Sequence, residues 1–261
     1  MGAMGRALAA ALVASGRSVT VWNRTVDPVG RSVPGATVAA SVADAVAASP
    51  LVVVCVVNYD AMYSFLDPAL VGDRTLVNLT NGTPQQARDA AARFGSSYVD
   101  GGIMAVPAMI GSASAAILYS GSAAGFAAAE PVFAVWGTAK HLGEDPGLAS
   151  LYDLALLSAM YGMFGGVYHA LALTASEKVE PAEFLPMVKS WLGAMVGALS
   201  DGSGADSADS NLAMQATAYV NLLDASRDQG VRTDMVTAMG ELLHRGVAAG
   251  PGVSLVDLLR A

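Results

Sequence analysis

Asp153 and Tyr161 are two polar groups set into an otherwise apolar stretch, Leu151–Ala175, LYDLALLSAMYGMFGGVYHALALTA. No proline interrupts it, and Leu, Ala and Met dominate, so it reads as one long helix. Eight helical positions amount to about 12 Å along the axis and about 80° around it, so both side chains can edge one cleft. A carboxyl and a phenol so placed can move a proton or steady a cation. Asp153 also has a plainer reading, as a first-turn acid favoured by the helix dipole.

At the start of the chain, Gly2-Ala3-Met4-Gly5 followed by ALAAALVASG is the tail of a G-x-G-x-x-G fingerprint. One glycine lets a pyrophosphate approach the backbone, and the other lets helix and sheet pack closely. Met1–Gly16 can also be read as a signal peptide, with Arg6, the apolar run Ala7–Val13 and then small residues. The strand-like SVTVW after Gly16 favours the nucleotide-binding reading. That β-run, Ser18–Trp22, ends in Asn23-Arg24-Thr25, where an NAD-binding fold usually carries an acid for the ribose 2′-hydroxyl. An acid would repel a 2′-phosphate, whereas Arg24 can bind it bidentately, so NADP(H) is the expected cofactor. The alternative is a solvated arginine in a turn.

Strand and helix alternate along the next stretch, as an α/β domain requires. Leu51–Val57 is a β-branched run suited to a parallel strand buried on both faces. Tyr59–Leu66 reads as helix, Thr75–Asn78 as strand, and Pro84–Phe94 as a helix opened by proline. Short strands are expected at Ser97–Val99, Ala115–Tyr119 and Ala139–Leu142, with a helix at Ala123–Phe133. Ligands bind beyond the carboxyl ends of such strands. The segments expected there are Asn58-Tyr59, Thr80-Asn81-Gly82-Thr83 and Gly101–Ala105. Asn81 is either a turn residue or a side chain facing the nicotinamide.

After the central helix the chain is expected to be all-α. Helices are predicted at Pro181–Leu199, Asn211–Gln229, Thr233–Ala249 and near Ser254–Arg260, with a polar loop over Ser200–Ser210. Asp153 and His169 bracket only fifteen residues free of acid, base or histidine, and a membrane span needs about twenty apolar ones. No membrane span is therefore expected. A soluble helix apolar all round must be buried on every side, in a core or between subunits. Gly162 and Gly166, one turn apart, would let another backbone come close, which makes this helix the expected spine between two domains and the seat of a dimer.

Composition narrows the function. Hydrophobic residues are 54% of the 261 and charged ones 14%, so much surface must be covered. A net charge of −8 argues against nucleic acid as a partner. The single cysteine, Cys55, cannot pair within the chain, which fits a reducing compartment and a cytoplasmic protein. His141, His169 and His244 are scattered, and no residues have metal-ligand spacing, so no metal is expected. No serine sits in a nucleophile elbow.

The stretches GAMGRALA, TVWNRT, VNLTNGTPQQAR, GGIMAVPAMIGS, ILYSGS, LGEDPGLASLYDLALLSAMYG, WLGAM and SNLAMQ run from residue 2 to about residue 215. They resemble the NADP-dependent imine reductases, closest to the reductive-aminase branch, of the β-hydroxyacid dehydrogenase-like superfamily. The resemblance implies a Rossmann domain over residues 1–148, an interdomain helix over 149–176 and a helical dimerisation and substrate domain over 177–261, interlocked with its twin. It also implies hydride transfer from NADPH to the C=N bond of an imine, or of the condensate of a ketone and an amine.

Residue by residue, the resemblance puts the pyrophosphate on Gly2, Ala3, Met4 and Gly5, and the 2′-phosphate on Asn23, Arg24 and Thr25. Val56, Val57 and Met104 are assigned to the cofactor with them. Asn81 is placed beside the nicotinamide, and with Asp153 and Tyr161 it makes the implied catalytic set. Trp191, Met214 and Gln215 would line the substrate pocket, the last two from the partner subunit. Related β-hydroxyacid dehydrogenases carry a catalytic lysine on the central helix, but no lysine lies between Lys140 and Lys178 here. A lysine suits an alkoxide, and a carboxylate suits an iminium. A hydroxyacid-type dehydrogenase and a non-catalytic NADP-binding dimer remain as alternatives. The fingerprint begins at residue 2, so the sheet is expected to lack its middle strand, with upstream sequence supplying roughly eight apolar residues ending in Gly-x.

Overall fold

The structure, a computed structural model, describes residues 1–25, 33–95, 97–200 and 212–260. The chain divides into two compact units, Met1–Leu157 and Ser158–Ala261.

The first unit runs α1 (Ala3–Ala14), β1 (Thr20–Val21), β2 (Thr37–Val38), α2 (Val42–Ala47), β3 (Leu51–Val54), α3 (Tyr59–Tyr63), α4 (Pro68–Val71), β4 (Thr75–Asn78) and α5 (Pro84–Phe94). It continues with β5 (Tyr98–Met104), β6 (Ala116–Gly121), α6 (Ala123–Trp136), β7 (Thr138–His141) and the start of α7 (Gly147–Ala175). β3, β4 and β5 are parallel, β6 is antiparallel to β5, and β7 is parallel to β6. β1 and β2 pair in a separate two-stranded parallel sheet. The described strands thus form two sheets, β1–β2 and β3 to β7.

Alternation along the strands sends side chains to two cores. On one face, Leu8 of α1 and Phe133 and Trp136 of α6 cover Val77, Val99, Ile117 and Tyr119. The Trp136 indole donates to the Leu8 carbonyl at 3.0 Å and ties these two helices together. On the other face, Tyr59, Met62, Ala87, Ala90 and Phe94 cover Leu76 and Tyr98.

The strand at Ser97–Val99 proves longer than expected. β5 continues to Met104 because Gly101–Met104 pair residue for residue with Tyr119–Ala116 of β6. Gly101–Ala105 is therefore mostly strand and not a loop that follows one. β3 in turn ends at Val54, leaving Val56 and Val57 beyond it, with Val57 exposed. β2, α2 and α4 are too short to show a period in the sequence.

The second unit holds the rest of α7, then α8 (Pro181–Ser200), α9 (Leu212–Asp228) and α10 (Asp234–Ala249). Its core joins Ala216 to Leu242, Leu243 and Leu255. The Tyr219 ring lies where a Cβ on Gly240 would come within 2.9 Å, and its hydroxyl donates to the Val236 carbonyl. The expected terminal helix is only a 3-10 turn, Asp257–Leu259. The loop predicted over residues 201–210 and the helix start at Asn211 fall outside the described residues.

α7 is 29 residues long and, by length and composition alone, could cross a membrane. The burial expected on every side is not found within the chain. Leu151, Leu156, Tyr161, Met163 and Tyr168 are all exposed.

Candidate active site

The parallel register of β3, β4 and β5 brings their carboxyl ends to one edge of the sheet. There the chain after β4 is held tightly. The Asn78 side chain accepts from Thr80 N at 3.2 Å, and Thr80 Oγ1 accepts from Val56 N at 3.3 Å. Gly82 sits directly on the Tyr59 ring, so that any Cβ there would collide with it. Thr83 then opens α5 with a reciprocal capping box to Gln86. These contacts fix Asn81 in place between Thr80 and Gly82.

α7 begins beside this loop. The Asp145 carboxylate accepts from Gly147 N at 3.0 Å and is gripped by both arms of Arg88. Seven residues in, Asp153 meets Asn81, whose Nδ2 donates to Asp153 Oδ2 at 2.8 Å. Asp153 lies in the second turn of α7, so its reading as a first-turn acid is corrected. Gly102 of β5 makes the approach possible, because a Cβ there would stand 2.8 Å from Asp153 Cβ and 3.2 Å from the Ala149 carbonyl. Burial raises the Asp153 carboxyl above the usual carboxylate range, and the Asn81 amide pulls it partly back.

Beneath Asp153 is a buried polar cluster that the sequence reading did not anticipate. Asp100 Oδ1 accepts from the hydroxyls of Tyr59 at 2.8 Å and Tyr98 at 2.9 Å, and Oδ2 accepts from Ser150 at 2.7 Å. The Asn78 amide donates to Tyr98 Oη at 3.0 Å, which turns that hydroxyl's proton toward Asp100. The available signals were slight: Tyr98 and Asp100 alternate onto one face, and Ser150 precedes Asp153 by one turn.

The residues expected to hold a dinucleotide fit that role locally. α1 starts at Ala3 with Gly2 as its extended N-cap, no side chain capping it and no acid in its first turn. A Cβ on Gly2 would meet nothing within 4 Å, so the amides of Ala3, Met4 and Gly5 face a site suited to an anion. Asn23, Arg24 and Thr25 follow β1 and are exposed, with the Asn23 amide donating to the Thr25 carbonyl at 2.7 Å. Met104 closes β5. Tyr161 lies two turns beyond Asp153 on α7, in the second unit, edge-on to Phe164. Trp191 is exposed on α8, and Met214 and Gln215 are on α9. The structure thus brings Asn81 and Asp153 into contact and leaves Tyr161, Trp191, Met214 and Gln215 on helices of the second unit. A shallow hollow beside Tyr98, Gly121 and Glu144 contains none of these residues.

A Rossmann-type sheet, a glycine-led helix with an uncapped start and a buried carboxylate beyond the strand ends define a nicotinamide-dinucleotide oxidoreductase. Residues 1–143 match the NAD binding domain of 6-phosphogluconate dehydrogenase, and residues 145–260 match the C-terminal domain of NADPH-dependent reductive aminase-like proteins. The NADPH-dependent reductive aminase of Aspergillus oryzae is 40% identical over 97% of this chain and 91% of its own. A reductive aminase from Aspergillus terreus, solved with NADPH4, cyclohexanone and allyl amine, is 43% identical. It has a TM-score of 0.89 over 99% of this chain and 96% of its own. An imine reductase from Aspergillus terreus, solved with NADPH4 and dibenz[c,e]azepine, is 42% identical, with a TM-score of 0.88 over the same shares. The chain belongs to the family of NADPH-dependent reductive aminases and imine reductases.

Proposed function

We propose that this protein reduces C=N bonds with NADPH, taking imines ready-made or formed from a carbonyl compound and an amine. Bound NADPH supplies the hydride to the imine carbon. The amides that begin α1 hold the pyrophosphate, and Asn23, Arg24 and Thr25 hold the 2′-phosphate. Val56, Val57 and Met104 complete the cofactor's contacts, and Asn81 stands beside the nicotinamide. The carrying observation is the Asn81–Asp153 pair: a buried carboxyl, steadied by an amide, on a helix with no lysine. An iminium is a cation, and an amine product ends as one, so a carboxyl group at the nitrogen suits both. Tyr161 orients the substrate or supplies the proton, and Trp191, Met214 and Gln215 contact the substrate, the last two from a second copy.

The same reading makes the protein a cytoplasmic homodimer with a nucleotide domain over 1–148, a linking helix over 149–176 and a helical domain over 177–261. The exposed apolar side chains of α7 support the dimer, as does the open space beside Gly162 and Gly166. Gly193 and Gly197 on α8, also four apart, are equally open. A monodisperse, active monomer by sedimentation would remove the dimer.

NADPH oxidation with a small cyclic imine, run beside cyclohexanone plus a primary amine, tests the activity. Turnover of the imine is expected. Oxidation of a hydroxy acid with NADP instead would reveal a β-hydroxyacid-type dehydrogenase. Tight NADPH binding with no turnover of any imine would reveal a non-catalytic cofactor-binding protein.

A further inference from the structure

We propose that Asp100, which touches neither substrate nor cofactor in the reading above, is a positioning residue for Asp153: it locks the first turn of α7 to the sheet through Ser150. The proposal rests on Asp153 acting at the C=N bond. Asp100 and Gly102 are neighbours on one face of β5, and α7 crosses that face with Ser150 above the first and Asp153 above the second. Directly across the ladder from Asp100 is Ser120 of β6. Its hydroxyl donates to the Pro146 carbonyl at 2.8 Å and accepts from Ala149 N at 2.9 Å. Two strands thus grip Pro146, Ala149 and Ser150, immediately before the turn that carries Asp153. The grip is buried: Asp100, Ser120 and Ser150 are all nearly inaccessible. A buried carboxylate costs stability unless fully hydrogen-bonded, and here three hydroxyl donors converge on it.

Asp153 also acts on Asp100 through charge. The groups around Asp100 are Tyr59 from α3, Tyr98 on its own strand, Asn78 of β4 through Tyr98, Ser120 of β6, and Ser150 and Asp153 of α7. The buried residues of α5 are Ala87, Ala90 and Phe94, and its Arg88 is bound to Asp145. Asp153 and Asp100 are thus like charges with no cation between them among these groups. The Asp100 carboxyl is raised to about 6, chiefly by burial, with three hydroxyl hydrogen bonds opposing the rise and Asp153 adding to it.

The test uses Asp100→Asn, Ser150→Ala, Ser150→Thr and Asp153→Ala, each assayed with a cyclic imine and NADPH across pH. Ser150→Ala should lose about tenfold or more in kcat, as small displacements of a reacting group do, with the NADPH KM unchanged. Ser150→Thr should restore most of it by keeping the hydroxyl. Asp100→Asn should lower kcat per active site, counted by NADPH binding, a loss that lower stability alone does not produce. Should Asp100→Asn fail to fold, the Ser150 pair decides. Wild-type kcat in Ser150→Ala, or in a folded Asp100→Asn whose only change is a lower Tm, would overturn the inference. Wild-type activity in Asp153→Ala would instead overturn the reading on which it rests.

Discussion

The Asn81 amide and the Asp153 carboxylate lie 72 positions apart in sequence and meet at 2.8 Å. The contact joins the loop after β4 to the second turn of α7. Its direction matters, because an amide N–H can donate to a carboxylate and stabilises the charged form. Asn81 therefore opposes the burial that raises Asp153.

Removing Asn81 tests that opposition. In Asn81→Ala the effect of burial is left unopposed, so the limb of the pH–rate profile that belongs to Asp153 should move toward higher pH. An unmoved limb in Asn81→Ala would mean that water replaces the amide at no cost. Turnover measured from pH 4 to 10 at saturating NADPH distinguishes these outcomes.

Gly102→Ala should be among the most damaging small substitutions in the first unit. The new methyl would stand 2.8 Å from Asp153 Cβ and 3.2 Å from a backbone carbonyl, and neither is a free side-chain end. Overpacking of this kind costs about 1–3 kcal/mol. Thermal melting should fall, and kcat should fall with it as α7 is pushed off β5. NADPH affinity, which depends on the amides that begin α1, should hold. A folded Gly102→Ala with wild-type kcat would show that Asp153 tolerates displacement.

How far the sequence could be read depended on the range of the interaction. Long periodic segments were legible: α5 and α10 appear within a residue of expectation, and β4 as written. The Rossmann unit, the long helix and the helical remainder followed from alternation and from quoted motifs. Asp153 was legible as an acid in an apolar helix, because such a group needs a reason. Asn81 was legible as a residue after a strand and, by resemblance, as one beside the nicotinamide, but its contact with Asp153 was not, since nothing local encodes a contact across 72 positions. Asp100 was missed for the same cause. A carboxylate between Val99 and Gly101 looks like a turn residue when the strand is taken to stop at Val99. Only the pairing with β6 shows that the strand runs on and buries it. Gly102 looked like loop glycine, and its function is to leave room for another element.

Cofactor choice rests on Arg24. No acid lies between Ser18 and Thr25, and a hydrogen bond to a charged group contributes about 1.5–3 kcal/mol. Arg24→Ala should weaken NADPH by about tenfold or more and leave NADH nearly unchanged. Fluorescence titration with both cofactors measures this directly. Equal weakening of the two would assign Arg24 to the fold and not to the phosphate.

The chemistry of Asp153 is settled by changing the substrate's charge. A neutral cyclic imine must gain a proton as hydride reaches carbon, whereas a permanently charged N-alkyl iminium needs none. General acid–base help is worth about 10²–10⁴ in rate. Asp153→Ala should therefore lose at least about a hundredfold in kcat with the neutral imine while still binding NADPH. Asp153→Asn should be as poor, because it keeps the shape and loses both charge and proton. Tyr161→Phe should lose less, about tenfold, if its hydroxyl only orients the substrate. With the N-alkyl iminium the two roles of Asp153 separate. If Asp153→Ala recovers there, proton delivery is the role, since that substrate arrives already charged. If it is equally defective, the carboxylate stabilises the cation, and burial next to Asn81 is what gives that charge its strength. Wild-type rates with both substrates would reduce Asp153 to a buried acid held in place by an amide, and the active site would have to be sought elsewhere.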